Sequence, residues 1–272
     1  MRPQWTLFAR AFAAAGAGIA IASVFFPNRA DLLGMFLASL GLSVDLERML
    51  DANRRAIWEE SQSSYRANSR LAIDLLALFL GVFAAYFLAA YLLPQEARGR
   101  LLGFQLERYG AHYRLVTDIW FGSFREILVH NAVVLSVVFL LAILYQDGGA
   151  RLILVWNAAI WGSVFGYLIG NQEEPIPFET VRYAIRTLLV LSPHLVTESA
   201  AYVLGALSGI FAIRGLRRHP LGSDRPRRVL VAGAPIGATA VALLGLAAWI
   251  ESTVTPWLVR RIVPQPLFPR PF

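Results

Sequence analysis

The sequence predicts an all-α protein, a polytopic bundle of transmembrane helices, and three observations predict it. First, the 272 residues are 57% hydrophobic and only 16% charged, whereas a soluble domain carries about 25% charged and about 45–50% apolar residues. With a mean hydropathy of +0.54, a fold of this size has too little charge to cover itself in water. Second, the apolar residues fall into runs near the ~20 residues that cross the hydrocarbon core. Third, all 25 basic residues are Arg and they lie between those runs. The net charge of +7 therefore points to an anionic membrane surface and not to nucleic acid. The absence of Cys excludes a disulfide scaffold, thiol catalysis and thiolate metal sites.

Taken in order, the first apolar run is Leu7 to Phe26. It contains Arg10 and many Ala and Gly residues, and it is expected to be a sixth span, with an interfacial helix or uncleaved signal anchor as alternatives. A cleaved signal peptide fits less well, because the run ends in Phe25-Phe26-Pro27 without a small-x-small site. Pro27 to Arg70 opens with Leu32 to Leu42, which is too short to span. It continues with Leu46, Met49 and Leu50 at helical spacing, read as an amphipathic helix along the membrane, and then with a polar lead, Ala56 to Arg70. Residues 1–70 thus form an N-terminal helix and connector ahead of a transmembrane core over 71–256.

Five runs in that core have spanning length: Leu71 to Leu93, Ile127 to Gln146, Leu152 to Gly170, Thr187 to Ile213, and Val229 to Ile250. Between the first two, Pro94 to Glu126 carries Phe104, Leu106, Tyr109, Tyr113 and Trp120 and reads as an aromatic-rich surface segment. Residues 257–272, with Pro264, Pro266, Pro269 and Pro271, read as an extended tail. With six spans, the Arg residues divide 13 to 12 between the two sides, which decides no orientation. Short loops weigh more, and Arg214 to Arg228 packs six Arg against Asp224. That loop is expected in the cytoplasm.

Ionisable groups inside spans are costly and so mark functional candidates. They are Asp74, His130, His194, Glu198 and Glu251, joined by the amides Asn131 and Asn157; Asp74 lies one turn into its helix, where water reaches it. His194 and Glu198 are four apart and share a helix face. Pro193 removes a backbone donor and disfavours helix at Ser192, which predicts a break or kink just before the pair. The same face continues through Ala201, Gly205 and Gly209, small residues that permit close helix approach. By helical rise, His194 lies about 10 Å and Glu198 about 16 Å from Thr187, and Asn157 enters about 8 Å from the opposite side, so most of these groups could meet near mid-membrane. Three readings stay open: a fastening of helices, a proton or ion relay, and a metal site.

Gly162, Gly166 and Gly170 form a doubled G-x-x-x-G face, for packing within the chain or between copies in a homo-oligomer. The last span has Gly233, Gly237, Gly245 and a kink expected at Pro235. Small residues mark these faces, which favours tight packing over a wide pore. Phosphate-loop, H-E-x-x-H, G-x-S-x-G and dinucleotide motifs are missing. No catalytic residue, metal or cofactor is assigned.

In order, the chain shows His130-Asn131, Asn157 with Gly162, Pro193-His194 with Glu198, the Arg214–Arg228 loop, and Glu251-Ser252-Thr253-Val254-Thr255-Pro256. This series resembles the stage II sporulation protein M family of integral membrane proteins over about residues 70–256. Members usually have Gly where Leu195 stands and Leu where Ser192 stands. The resemblance implies a scaffold without catalysis of its own that anchors peptidoglycan-remodelling enzymes, with the Arg-bearing loop cytoplasmic.

The function expected is therefore a non-enzymatic scaffold in the cell membrane. Its expected partners are the lipid bilayer and other membrane or envelope proteins, with no nucleic acid. A transporter or proton-coupled permease using His194, Glu198 and Glu251 is the alternative; a metalloenzyme on His130, His194, Glu198 and Glu251 is a third.

Overall fold

The computed structural model describes residues 3–109, 121–145, 147–170, 177–218 and 224–263. Its regular elements there are all helical. They are α1 (Gln4–Phe25), α2 (Ala30–Gly41), α3 (Ser43–Trp58), α4 (Ser64–Leu92), α5 (Gln95–Tyr109), α6 (Phe124–Tyr145), α7 (Asp147–Gly170), α8 (Pro177–Arg218), α9 (Asp224–Trp249), a π-helical turn (Ile250–Val254) and α10 (Thr255–Ile262). Six stretches are long and apolar enough to cross a membrane: α1, α4, α6, α7, α8, and α9 continued into α10. The chain is an all-α polytopic membrane protein. The Pro-rich tail beyond residue 263, Tyr113 and Trp120 lie outside the described residues.

The chain divides into two compact units, Met1–Ala111 with Asp147–Gly170, and His112–Gln146 with Asn171–Phe272. In unit 1, α1 and α4 meet backbone to backbone. A Cβ on Gly81 would lie 2.8 Å from the Ala11 Cβ and 3.0 Å from the Phe12 nitrogen. One end of the same contact is closed by Gln4, whose Nε2 donates to Asp74 Oδ1 at 3.4 Å. Residues 4 and 11 thus face 74 and 81, so α1 and α4 are parallel. A chain leaving one span and entering a parallel one must return between them, and α2 with α3 makes that return. Gly18 lies against Gly34 and Ala38, Ala14 against Gly41, and Arg10 pairs with Asp45. Numbers fall along α1 as they rise through α2 and α3, the mark of an antiparallel leg. Farther on, Asn53 Nδ2 in α3 donates to Asn68 Oδ1 in α4 at 3.1 Å.

This corrects the expectation that Leu46, Met49 and Leu50 lie along the membrane. They are buried, and so is Asp45. An apolar stripe of this width suits a lipid surface or a neighbouring helix equally, and here helices cover it. The six-span charge count changes with it: Arg48, Arg54, Arg55, Arg66 and Arg70 share the Arg10 end of unit 1.

α5 is also packed, not a surface segment. Leu102 and Leu106 are buried, Phe104 sets its ring edge-on to Trp156 at 5.1 Å, and the Phe104 N–H donates to Asp31 Oδ2 at 2.9 Å. α7 lies on α4 through its glycines. A Cβ on Gly162 would sit 3.0 Å from the Phe87 nitrogen, one on Gly166 2.8 Å from the Ala90 Cβ, and one on Gly170 3.1 Å from the Tyr91 carbonyl oxygen. The doubled G-x-x-x-G face is therefore spent within the chain.

In unit 2, Gly205 of α8 meets Leu135 of α6, and Gly209 meets Phe139 and Ala142. The register runs parallel. α9 runs antiparallel to α8, with Gly237 beside Ser208 and Thr255 beside His194. Gly233 and Gly245 have open space where a Cβ would go.

The break expected at Pro193 is absent: α8 is one helix of 42 residues with Pro193 inside it. Pro193 cannot donate to the Leu189 carbonyl, and the Ser192 hydroxyl approaches that oxygen instead, at a long 3.5 Å. Such a donor to the freed carbonyl helps a proline persist in a spanning helix. One turn on, Thr197 Oγ1 donates to the Pro193 carbonyl at 2.7 Å, a group the ring does not free. Pro235 is likewise inside α9, with Thr239 Oγ1 donating to its carbonyl at 2.8 Å. The expected 214–228 loop is mostly helix, because α8 reaches Arg218 and α9 begins at Asp224; residues 219–223 lie outside the described residues.

Candidate functional site: a polar cluster in unit 2

Polar side chains in hydrocarbon need internal partners, and unit 2 gathers several at one level. His194 is 3% exposed and Glu198 8%, side by side on the buried face of α8. His194 Nδ1 lies 3.2 Å from Thr255 Oγ1, and Thr255 is fully buried at the start of α10. Glu198 hydrogen-bonds the buried Tyr202 one turn on, and the Glu251 carboxyl is close enough to act on it electrostatically. Glu251 stands on the π-helical turn. Pro256 has no N–H for the Ser252 carbonyl, so the helix passes it by widening for a turn. That widening carries Glu251 and ends just before Thr255, so the proline sets the backbone at both residues.

Asn131 of α6 joins this level. With Leu135 at Gly205, the parallel register puts Asn131 one turn earlier, beside Ala201 and near Glu198. It is 5% exposed, and its Nδ2 has no hydrogen-bond partner among the described residues. The Thr187 hydroxyl is in the same position, buried on the His194 face two turns earlier.

Two expected members stand elsewhere. His130 is exposed: successive residues on a helix point about 100° apart, so α6 turns Asn131 inward and His130 outward. Asn157 belongs to unit 1, where its Nδ2 donates to the Ile153 carbonyl at 2.9 Å within α7. Asp74 is half-buried and takes its bond from Gln4. Among the described residues no three His, Asp or Glu side chains are grouped to hold a metal. Tyr202 went unremarked in the sequence, though legible as the i+4 neighbour of Glu198; Thr255 was named there as part of the Glu251–Pro256 series, but its contact with His194 required the fold.

What the fold and the cluster define is a multi-pass membrane protein with ionisable side chains enclosed between its helices. The family sequence model described as Stage II sporulation protein M matches residues 74–256, and the chain belongs to that family. The match runs from the Asp74 turn of α4 to Pro256, taking in α4–α9 and the whole polar cluster but leaving α1–α3 outside. No curated protein and no solved structure matches the chain.

Proposed function

We propose that the chain is a non-catalytic scaffold of the cell membrane that recruits other membrane or envelope proteins, in the setting its family suggests, peptidoglycan remodelling. The supporting observation is where the costly polar groups are spent. His194 joins α8 to α10 through Thr255, a fastening between helices, while Glu198 is bonded within α8 to Tyr202. The outward faces are apolar, with Val129, Val133, Val137, Leu140 and Leu144 exposed along α6.

The end of unit 1 that carries Arg10, Arg48, Arg54, Arg55, Arg66, Arg70 and Arg151 faces the cytoplasm in this reading, against Arg29, Arg98 and Arg100 where α2 and α5 begin. Purification from native membranes in mild detergent tests the scaffold. Envelope proteins are expected to elute with the chain in fixed proportion, and a partner-free chain that transports a solute in liposomes contradicts the reading.

One observation favours a second reading, a proton-coupled permease: two carboxyls, Glu198 and Glu251, lie within electrostatic reach at a π-helical turn, a feature common at functional sites.

A further inference from the structure

Outside the family-matched region, unit 1 holds a cavity of about 340 Å³ between the starts of α1 and α4 and the length of α3. One wall is apolar, from Leu7, Met49 and Leu71, while Arg48, Arg70, Glu60 and Asp74 supply two charges of each sign. Asp45 also lines it but is already paired with Arg10. Asn53 also lines it, with its amide nitrogen used on Asn68.

The cavity's depth identifies the kind of ligand. Trp5, 71% exposed on α1, stands at the level of the Gln4–Asp74 contact, and an exposed Trp at a helix end favours the membrane–water interface. From the same level the lipid-facing side of α4 begins, with Ile73, Leu76 and Leu80 exposed. On the other side lies the polar lead, where Tyr65 and Arg66 are exposed. The cavity thus opens where headgroups meet acyl chains.

The geometry points to a binding site for a phospholipid whose headgroup is phosphoethanolamine. Its phosphate answers Arg48 and Arg70, which favour an anion. Its primary ammonium brings N–H donors and a positive charge for Glu60 and Asp74. Its acyl chains leave along Leu7 and Leu71. A choline headgroup has the same charges but no N–H for the two carboxylates, and a glycerol headgroup has no cation for them. The site rests on unit 1 alone and stands whether or not the chain is a scaffold.

The test uses the full chain in mild detergent, with equimolar phosphatidylethanolamine, phosphatidylcholine and phosphatidylglycerol of one chain length, and native mass spectrometry to count bound lipid. About tenfold more ethanolamine lipid than either rival is expected, with a loss of similar size in Arg48→Gln. Arg48 is exposed, so this variant keeps its fold, checked by circular dichroism; Arg48→Lys should retain most of the binding. Equal retention of the three lipids, or unchanged retention in Arg48→Gln, overturns the proposal. Displacement by chain-free glycerophosphoethanolamine as effective as by the lipid also overturns it, because the occupant would then be a soluble phosphate ester.

Discussion

The two units bury different things. Unit 1 closes α1, α4 and α7 on Gly81, Gly162 and Gly166, where a Cβ would meet the backbone or a Cβ of the facing helix. Its buried charge, Asp45, is matched by Arg10 at the edge of the membrane. Unit 2 meets Gly205 with the end of a Leu135 side chain and places His194, Glu198 and Asn131 in its interior. Where backbones touch, as at these glycines and at Gly209 of unit 2 against the Phe139 carbonyl, no polar group fits between the helices. Where side chains separate the helices, as at Gly205, polar groups enter. The ionisable residues that identify the family lie in the second kind of packing, and this follows from the helix contacts of each unit taken by itself.

The largest expected break in that contrast is Gly166→Leu. The new side chain has only the α4 backbone and Ala90 to displace, so a cost of about 3 kcal/mol or more is expected, read as loss of the monodisperse peak after detergent extraction. Gly205→Ala should cost under about 1 kcal/mol, because Leu135 can swing aside; equal losses in the two variants would erase the distinction between the units.

Arg10→Met comes next. It leaves Asp45, 4% exposed, without its cation, and because Arg10 is itself 39% exposed water softens the loss to about 2 kcal/mol. Thermal unfolding in detergent checks it, and Arg10→Met with Asp45→Leu should recover much of the difference. His194→Ala should cost about 1–2 kcal/mol through the Thr255 bond. Glu198→Gln, which can still bond Tyr202, should cost about 0.5–1 kcal/mol. The smallest effect is Ser192→Ala. Removing one long hydrogen bond should change stability by about 0.5 kcal/mol or less and leave helicity by circular dichroism unchanged.

How much of this was legible in the sequence depended on the periodicity each part followed. The spans were legible because about 20 apolar residues have few other uses, and each of the five runs, together with Leu7–Phe26, overlaps a helix of spanning length. The family was legible because its polar residues come in a fixed order. The return through α2 and α3 was not, since two helices of 12 and 16 residues each fall short of a span and only their contacts with α1 join them. The expected break at Pro193 failed for a local reason: proline's missing donor was weighed, but the Ser192 hydroxyl that approaches the freed Leu189 carbonyl was not. His130 and Asn131 could not be told apart without the face of α6, because adjacent residues fit one spacing equally well until a neighbour fixes the rotation.

The central claim is that His194 fastens α8 to α10 and that neither it nor Glu198 and Glu251 carries protons. Proton flux into liposomes containing the purified chain, driven by an imposed potential, tests it most directly. The account predicts flux no greater than in empty liposomes, for both the native chain and Glu198→Gln. Flux through the native chain that disappears in a correctly folded Glu198→Gln variant would contradict it.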